Sequence, residues 1–236
     1  MTRWIREAAR IFEEKRSRGP ATFCKYTLTL LDCRHAEPKN TMPRPSRLEE
    51  QRRELLPILA TAFAELGFRR TTTAQLAQRC GVRENILYRH WRDKVAMFAA
   101  ALDHIGDLAI DTWRRAADAP GPGTSAERIL GYEADHLGEF GNYRLIFSAL
   151  GDTDAPVIRS TVKRIYRRFH RVLRDELIAA RGDARCEPDA DLTTWAIIGL
   201  GTVATIGQEL GLMSKAARRR LIQRVGRVLL LGSRPA

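Results

Sequence analysis

The chain has 236 residues, 44% of them hydrophobic and 29% charged, the balance of a folded soluble protein rather than a disordered or fibrous one. Forty Lys and Arg against 28 Asp and Glu leave a formal charge of +12, which suits an anionic partner, most simply nucleic acid, although an arginine-rich proteome would give the same balance. No apolar run is read as approaching the roughly 18 residues of a bilayer span, and Glu7, Glu13 and Glu14 interrupt the basic start where a signal peptide would carry its apolar core; a cytoplasmic protein with no membrane partner is expected.

Residues 1–43 read as an N-terminal extension unlike the rest, with net charge +4. Trp4, Ile5, Ala8, Ala9 and Phe12 recur at helical spacing and predict a short amphipathic helix that Gly19-Pro20 ends. Tyr26 to Leu31 is strand-like and has no evident partner, and Pro38, Pro43 and Pro45 form an extended linker. Three readings stay open: a loose tail, a stretch preceding a true translation start at Met42, or a basic arm that touches DNA.

From residue 46 the pattern is helical. Ser46-Arg47-Leu48-Glu49 is a capping box, in which hydroxyl and carboxylate satisfy the first free amides of a helix. That helix runs to Gly67 with Leu55, Leu56, Leu59, Phe63 and Leu66 on its apolar face; Pro57 within it predicts a kink or a true start nearer residue 54. Thr72-Thr73-Ala74-Gln75 is a second capping box. It opens a short helix with Leu76, Ala77 and Cys80 inward, and Gly81 permits the sharp turn after it. A third helix follows from about Arg83 to Trp91, with Leu87 and Trp91 as core residues. Two short helices joined at a glycine turn, behind a longer one, form the arrangement that reads DNA.

Asp93-Lys94 opens a long helix to about Ala117. Ala119 to Gly123 is a loop, and Thr124-Ser125-Ala126-Glu127 caps the next helix. Tyr143 to Leu150 is helical in pattern. Asp154 and Pro156 start a long helix to Arg181, with Ile158, Val162, Ile165, Phe169, Val172 and Leu173 on one face. Pro188-Asp189 starts another to about Leu210, and Ser214 caps the last, which ends near Leu231. The expected fold is therefore all-α, with about nine helices in two domains: a DNA-binding module over 46–106 and an effector-binding and dimerisation domain over 107–236.

Residues 67–94, GFRRTTTAQLAQRCGVRENILYRHWRDK, resemble the tetracycline-repressor (TetR) family of bacterial regulators. Gly67-Phe68, Thr72-Thr73, Leu76-Ala77, Gly81-Val82, Leu87-Tyr88, His90-Trp91 and Lys94 stand where that family places a glycine-aromatic pair, two threonines, an apolar-alanine pair, glycine-valine, leucine-tyrosine, histidine-aromatic and a lysine. The clear match extends from Arg47 to about Asp107. Beyond it the chain resembles the family only in layout. Two departures stand out. Arg83 occupies the place of a small polar cap, so the third helix is capped more weakly, and Asn85, followed by Ile86, stands where a small residue is usual, so the base preference should differ from that of relatives.

The resemblance implies a regulator of transcription that binds a palindromic double-stranded operator as a homodimer, typically as a repressor. The third helix must lie in the major groove, the only groove wide enough to admit a helix and varied enough to be read. Arg83, Glu84, Asn85 and Ile86 are then nearest the base edges; Asn85 suits adenine and Ile86 a thymine methyl. Glu84 reads either as an acceptor from cytosine or as a partner of Arg83. Tyr88, Arg89 and His90 fall on phosphates or flanking bases. Thr72, Thr73 and Gln75 from the second helix, Lys94 from the fourth and Arg47 from the first are assigned to phosphates.

Trp195 to Ile206 is apolar nearly all round and rich in small residues, and Leu221, Ile222, Val225, Val228 and Leu229 form a matching stripe. The two helices predict a dimer interface through Val203, Ile206, Leu221, Val225 and Val228. Candidate lining for an effector pocket is Trp113, Tyr132, His136, Phe140, Tyr143, Phe147, Phe169 and Trp195, which suits a small apolar or aromatic effector. The stripe Lys163, Arg164, Arg167, Arg168, Arg171 and Arg174 reads as a solvated helix face, with contact to an anionic ligand such as an acyl-CoA as the alternative. Cys24, Cys33, Cys80 and Cys186 form no C-x-x-C pair and read as reduced thiols, Cys80 serving packing; His104, Asp135 and His136 make no convincing metal set. No nucleophile and base, nucleotide loop or metal cluster is found, so neither catalytic residue nor cofactor is assigned. The rival to an effector-responsive regulator is a nucleoid-organising DNA-binding protein of the same fold that needs no effector. A well-formed pocket would favour the former and a solid core the latter.

Overall fold

The computed structural model describes residues 46–137, 142–182 and 187–231. The readings made of residues 1–43, together with Phe140 and Cys186, lie outside the described residues. Among those described there are nine α-helices and no strand: α1 (Arg47–Leu66), α2 (Thr73–Cys80), α3 (Glu84–His90), α4 (Lys94–Asp118), α5 (Ser125–His136), α6 (Asn142–Ser148), α7 (Pro156–Arg181), α8 (Glu187–Glu209) and α9 (Lys215–Leu231), with a 3-10 turn, Ala149–Asp152, after α6. The all-α expectation holds.

Local chemistry accounts for most of the boundaries. Ser46 and Glu49 form the reciprocal capping box, with Glu49 N donating to Ser46 Oγ at 3.3 Å and Ser46 N to Glu49 Oε2 at 3.1 Å. Helix α1 therefore starts at Arg47, not near residue 54. Pro57 is tolerated because it lies on the exposed side of the helix, where water can reach the carbonyl left without its amide partner. Thr72–Gln75 and Thr124–Glu127 cap α2 and α5 in the same way. Gly81, at φ +65°, takes the left-handed conformation that turns the chain from α2 into α3. Arg83 heads α3 with no side-chain cap, the weaker start expected there.

One apolar core links the reading helices to the body behind them. Leu59, Phe63, Leu76, Leu87, Met97 and Phe98 are fully buried, and the ring of Phe98 meets those of Phe63 and Phe68 at 4.9 and 4.8 Å. Helix α4 passes through residues 106 and 107 unbroken, and its buried residues share this core with α1, α6 and α7. Gly106 lets α7 approach closely: a Cβ there would lie 3.1 Å from Ile165 Cγ1. On the outer side of the α4–α7 contact, Arg164 pairs with Asp103 at 2.6 Å and Arg168 with Asp107 at 2.5 Å. The cationic stripe of α7 thus meets carboxylates and solvent.

Helices α8 and α9 revise two expectations. Asp189–Glu209 is long and apolar enough, by length and composition, to cross a membrane, although no such run was read in the sequence; its polar content is mostly threonine, which hardly lowers hydropathy, and its carboxylates stand near its ends. Only 28% of that stretch is buried. The apolar stripe expected on α9 divides in two. Ile222, Gly226 and Leu230, four residues apart, turn inward, whereas Val225 and Val228, three apart, share the outer side at 40% and 60% exposure.

Candidate nucleic-acid interface and ligand cavity

Helix α3 presents Arg83, Asn85, Tyr88 and Arg89 to solvent and keeps Glu84, Ile86 and His90 half-buried, with Leu87 and Trp91 in the core. Its side chains are tied to α2. Tyr88 Oη donates to Thr73 Oγ1 at 3.3 Å, and the Thr73 hydroxyl donates to the Glu84 carboxylate. Glu84 thus ties α3 to the N-terminal turn of α2. The Thr72 hydroxyl accepts from Gln75 N at 3.2 Å, and Gln75 Oε1 accepts from Thr72 N at 2.9 Å. Both side chains thus hold the cap, and Thr72 and Gln75 remain on the exposed side of α2.

Two further positions have partners that the sequence pattern does not reveal. His90 Nε2 lies 3.1 Å from Gln51 Oε1 of α1. Burial, with Arg52 and Arg89 nearby, holds its imidazole below the usual histidine range. Lys94 Nζ donates to the carbonyls of Phe68 and Thr71 at 3.0 and 2.9 Å and sits 4.7 Å from the centre of the Phe68 ring. It closes the loop between α1 and α2. Arg47 is exposed at the start of α1, and Arg52 lies over the Trp91 ring at 5.5 Å. Arg69 in the α1–α2 loop reaches Asp152 Oδ1 at 2.6 Å and the Gly151 carbonyl at 2.9 Å, joining the reading head to the 3-10 turn after α6. Cys80 is a packing residue whose thiol is pushed up to about 11 by burial.

Behind the head, α4 to α9 enclose a cavity of about 920 Å³, its open mouth included, walled chiefly by aliphatic and aromatic side chains. Of the residues expected there, Trp113, Tyr143, Phe147 and Phe169 line it. Tyr132 and His136 instead stack on each other at 4.3 Å, and Trp195 packs on His170 at 4.8 Å, 46% exposed. What the sequence reading missed is Glu133. Its Oε1 accepts from Trp113 Nε1 at 2.6 Å and from Tyr143 Oη at 2.9 Å. Burial pushes the carboxyl up, and the two hydrogen bonds and His136 pull it back. The signal was present: Ala126, Ile129, Leu130 and Leu137 make a helical apolar stripe on α5, and Glu133 is the carboxylate standing inside it.

A short helix braced by a second, on a long helix that leads into a hollow all-α body, is the arrangement of helix-turn-helix DNA-binding proteins. Residues 59–101, in the reading module, match the family model of the bacterial regulatory proteins of the tetR family. The chain carries 36% identity over 81 residues to the nucleoid occlusion factor SlmA of Haemophilus influenzae, covering 33% of this chain and 37% of that protein. It carries 38% over 69 residues to SlmA of Haemophilus ducreyi, covering 29% and 34%. The match thus spans about a third of the length of these relatives. The whole architecture is shared with solved structures: a TetR-family transcriptional regulator of Cytophaga hutchinsonii (TM-score 0.65, 14% identity, 79% of this chain and 96% of that one) and the fatty acid degradation regulator FadR of Bacillus halodurans (TM-score 0.63, 14%, 82% and 100%). At these identities the likeness is one of fold.

Proposed function

We propose that the protein is a cytoplasmic, homodimeric repressor that holds a palindromic operator through α3 and releases it when a small apolar or aromatic effector enters the cavity. The observation that carries this reading is the cavity and its link to the head: α4 begins at the Lys94 anchor and ends in the cavity wall at Trp113. Half-sites stand about one helical turn, roughly 34–36 Å, apart, so both heads engage at one spacing only. A ligand that tilts α4 changes that spacing, and it shifts the equilibrium by no more than its preference for the misaligned state. The nucleoid-organising alternative draws support from the SlmA relatives, but their match spans only about a third of either chain, and a hollow body favours an effector.

The test joins two titrations. Operator selected from random duplexes should bind with a slope of log K against log salt near −7, if each subunit neutralises about four phosphates. Any ligand found by thermal shift should weaken operator binding, and operator should weaken ligand binding by the same factor. Equal affinity for random DNA would defeat the specific regulator, and ligand binding without this reciprocity would defeat the effector mechanism.

Base reading is the task of the exposed N-terminal residues of α3. Asn85→Ala is expected to relax preference at one base pair per half-site, costing about 1–3 kcal/mol there. An unchanged consensus after repeated selection with the variant would show that α3 is docked otherwise.

A further inference from the structure

We propose that the cavity takes a lipophilic amine, an apolar or aromatic body carrying one protonated nitrogen, and that the Glu133 carboxylate receives that nitrogen. The inference rests on the effector reading above and names the chemistry of the site. Among the residues lining the cavity the charged ones are Glu133 and Glu176, and none is Lys, Arg or His. In a chain of net charge +12 that selection opposes the overall composition. A carboxylate or phosphate entering the cavity would meet no cation among its described lining residues, and Arg164 and Arg168 of α7 are engaged with Asp103 and Asp107 on the outer surface.

The two carboxylates differ. Glu176 accepts from the Ser125 hydroxyl near the start of α5. Glu133 stands at the centre of the apolar wall, and both of its donors, Trp113 Nε1 and Tyr143 Oη, reach the same oxygen, Oε1. The two bonds fix the carboxyl group in place and leave the lone pairs of Oε2 to a ligand. Glu133 retains accessible surface and belongs to the cavity wall, so its open side faces the cavity. Neither donor is a cation, and a carboxylate enclosed chiefly by apolar walls is costly to desolvate; His136, which pulls the carboxyl back, is not among the residues lining the cavity. A ligand ammonium would supply a counter-charge together with a donor. Trp113, Phe147 and Phe169, on the same wall, offer the aromatic surface that attracts cations and packs an apolar body.

Three probes with one body and different head groups decide the matter: 6-phenylhexylamine, 6-phenylhexanol and 6-phenylhexanoate, titrated calorimetrically into the full chain and into Glu133→Gln. The amine should bind the wild type about tenfold or more tightly than either of the others. Glu133→Gln, which keeps the shape and the Oε1 acceptor, should bring the three affinities to within about threefold of one another. Equal or tighter binding of the alcohol or the carboxylate to the wild type would overturn the proposal. So would an amine preference that survives Glu133→Gln, or the failure of all three to bind at millimolar concentration. If the variant does not fold, the order of the three probes on the wild type decides alone. An amine that binds as expected yet leaves operator affinity unchanged would uphold the ligand chemistry and defeat the effector reading separately.

Discussion

Placing aspartate at both Val203 and Val225 is expected to convert the protein to monomers and to lower operator affinity about a thousandfold or more, because the second half-site contact ceases to be intramolecular. On α8, Leu192, Trp195, Val203, Ile206 and Leu210 are 46–71% exposed, and their spacing repeats at three, eight, three and four residues along one side of the helix. Buried Ala190, Thr194, Ala204 and Thr205 occupy the opposite side. On α9, Val225 and Val228 face out beside Leu221, while Ile222 and Leu230 pack inward. Two adjacent helices thus both present exposed apolar side chains, and a cluster of that kind marks an interaction surface. A second copy related by a twofold axis would cover it with a four-helix contact, and two copies are what a palindrome requires. Two carboxylates at the centre of such a contact would be desolvated without partners. Sedimentation and operator titration of the variant measure both effects. A wild-type chain that is monomeric at micromolar concentration, or that settles on phosphatidylcholine vesicles instead of pairing, would overturn the dimer.

The local rules were the most legible part of this chain. Ser46, Thr72 and Thr124 announced three helix starts because a capping box is a contact within four residues. The glycine turn at Gly81 and the core positions Leu87 and Trp91 followed from spacing alone. Pro57 misled in part, since whether proline breaks a helix depends on what surrounds its missing hydrogen bond, and here that is solvent. The cavity was half legible. Counting aromatic residues found Trp113, Tyr143, Phe147 and Phe169, but Trp195 lies on the outer side of α8, and a helix apolar on all sides does not show which side its neighbours cover. Glu133 was visible as an interruption of the α5 stripe, yet its meaning depends on Trp113 and Tyr143, which come from two other helices. The partners of Thr73, Glu84 and His90 could not be read for the same reason: each bond joins two helices whose relative placement the sequence does not state.

Lys94→Ala is expected to destabilise the reading head by about 2–4 kcal/mol, well above the change of about 0.5 kcal/mol typical of a surface substitution. An ammonium has three donors. In Lys94 two of them are held by the carbonyls of Phe68 and Thr71, and its charge lies over the Phe68 ring. Phe68 in turn stacks on Phe98 of the shared core. Removing the side chain therefore deprives two half-buried carbonyls of a charged donor and loosens the ring that joins the α1–α2 loop to α4. The third donor is left for the phosphate contact that the sequence pattern assigns to this lysine, and Lys94→Met separates the two roles. It keeps the apolar stem over Phe68 and loses every donor. A phosphate role would lower the salt slope by about one per subunit contact while leaving the selected consensus unchanged. A structural role would lower the melting temperature even without DNA, where no phosphate contact exists. Both changes together are the expected result. A melting temperature unmoved in Lys94→Ala would mean that the loop is held by its apolar contacts alone, and the geometry around Nζ would then have no energetic weight.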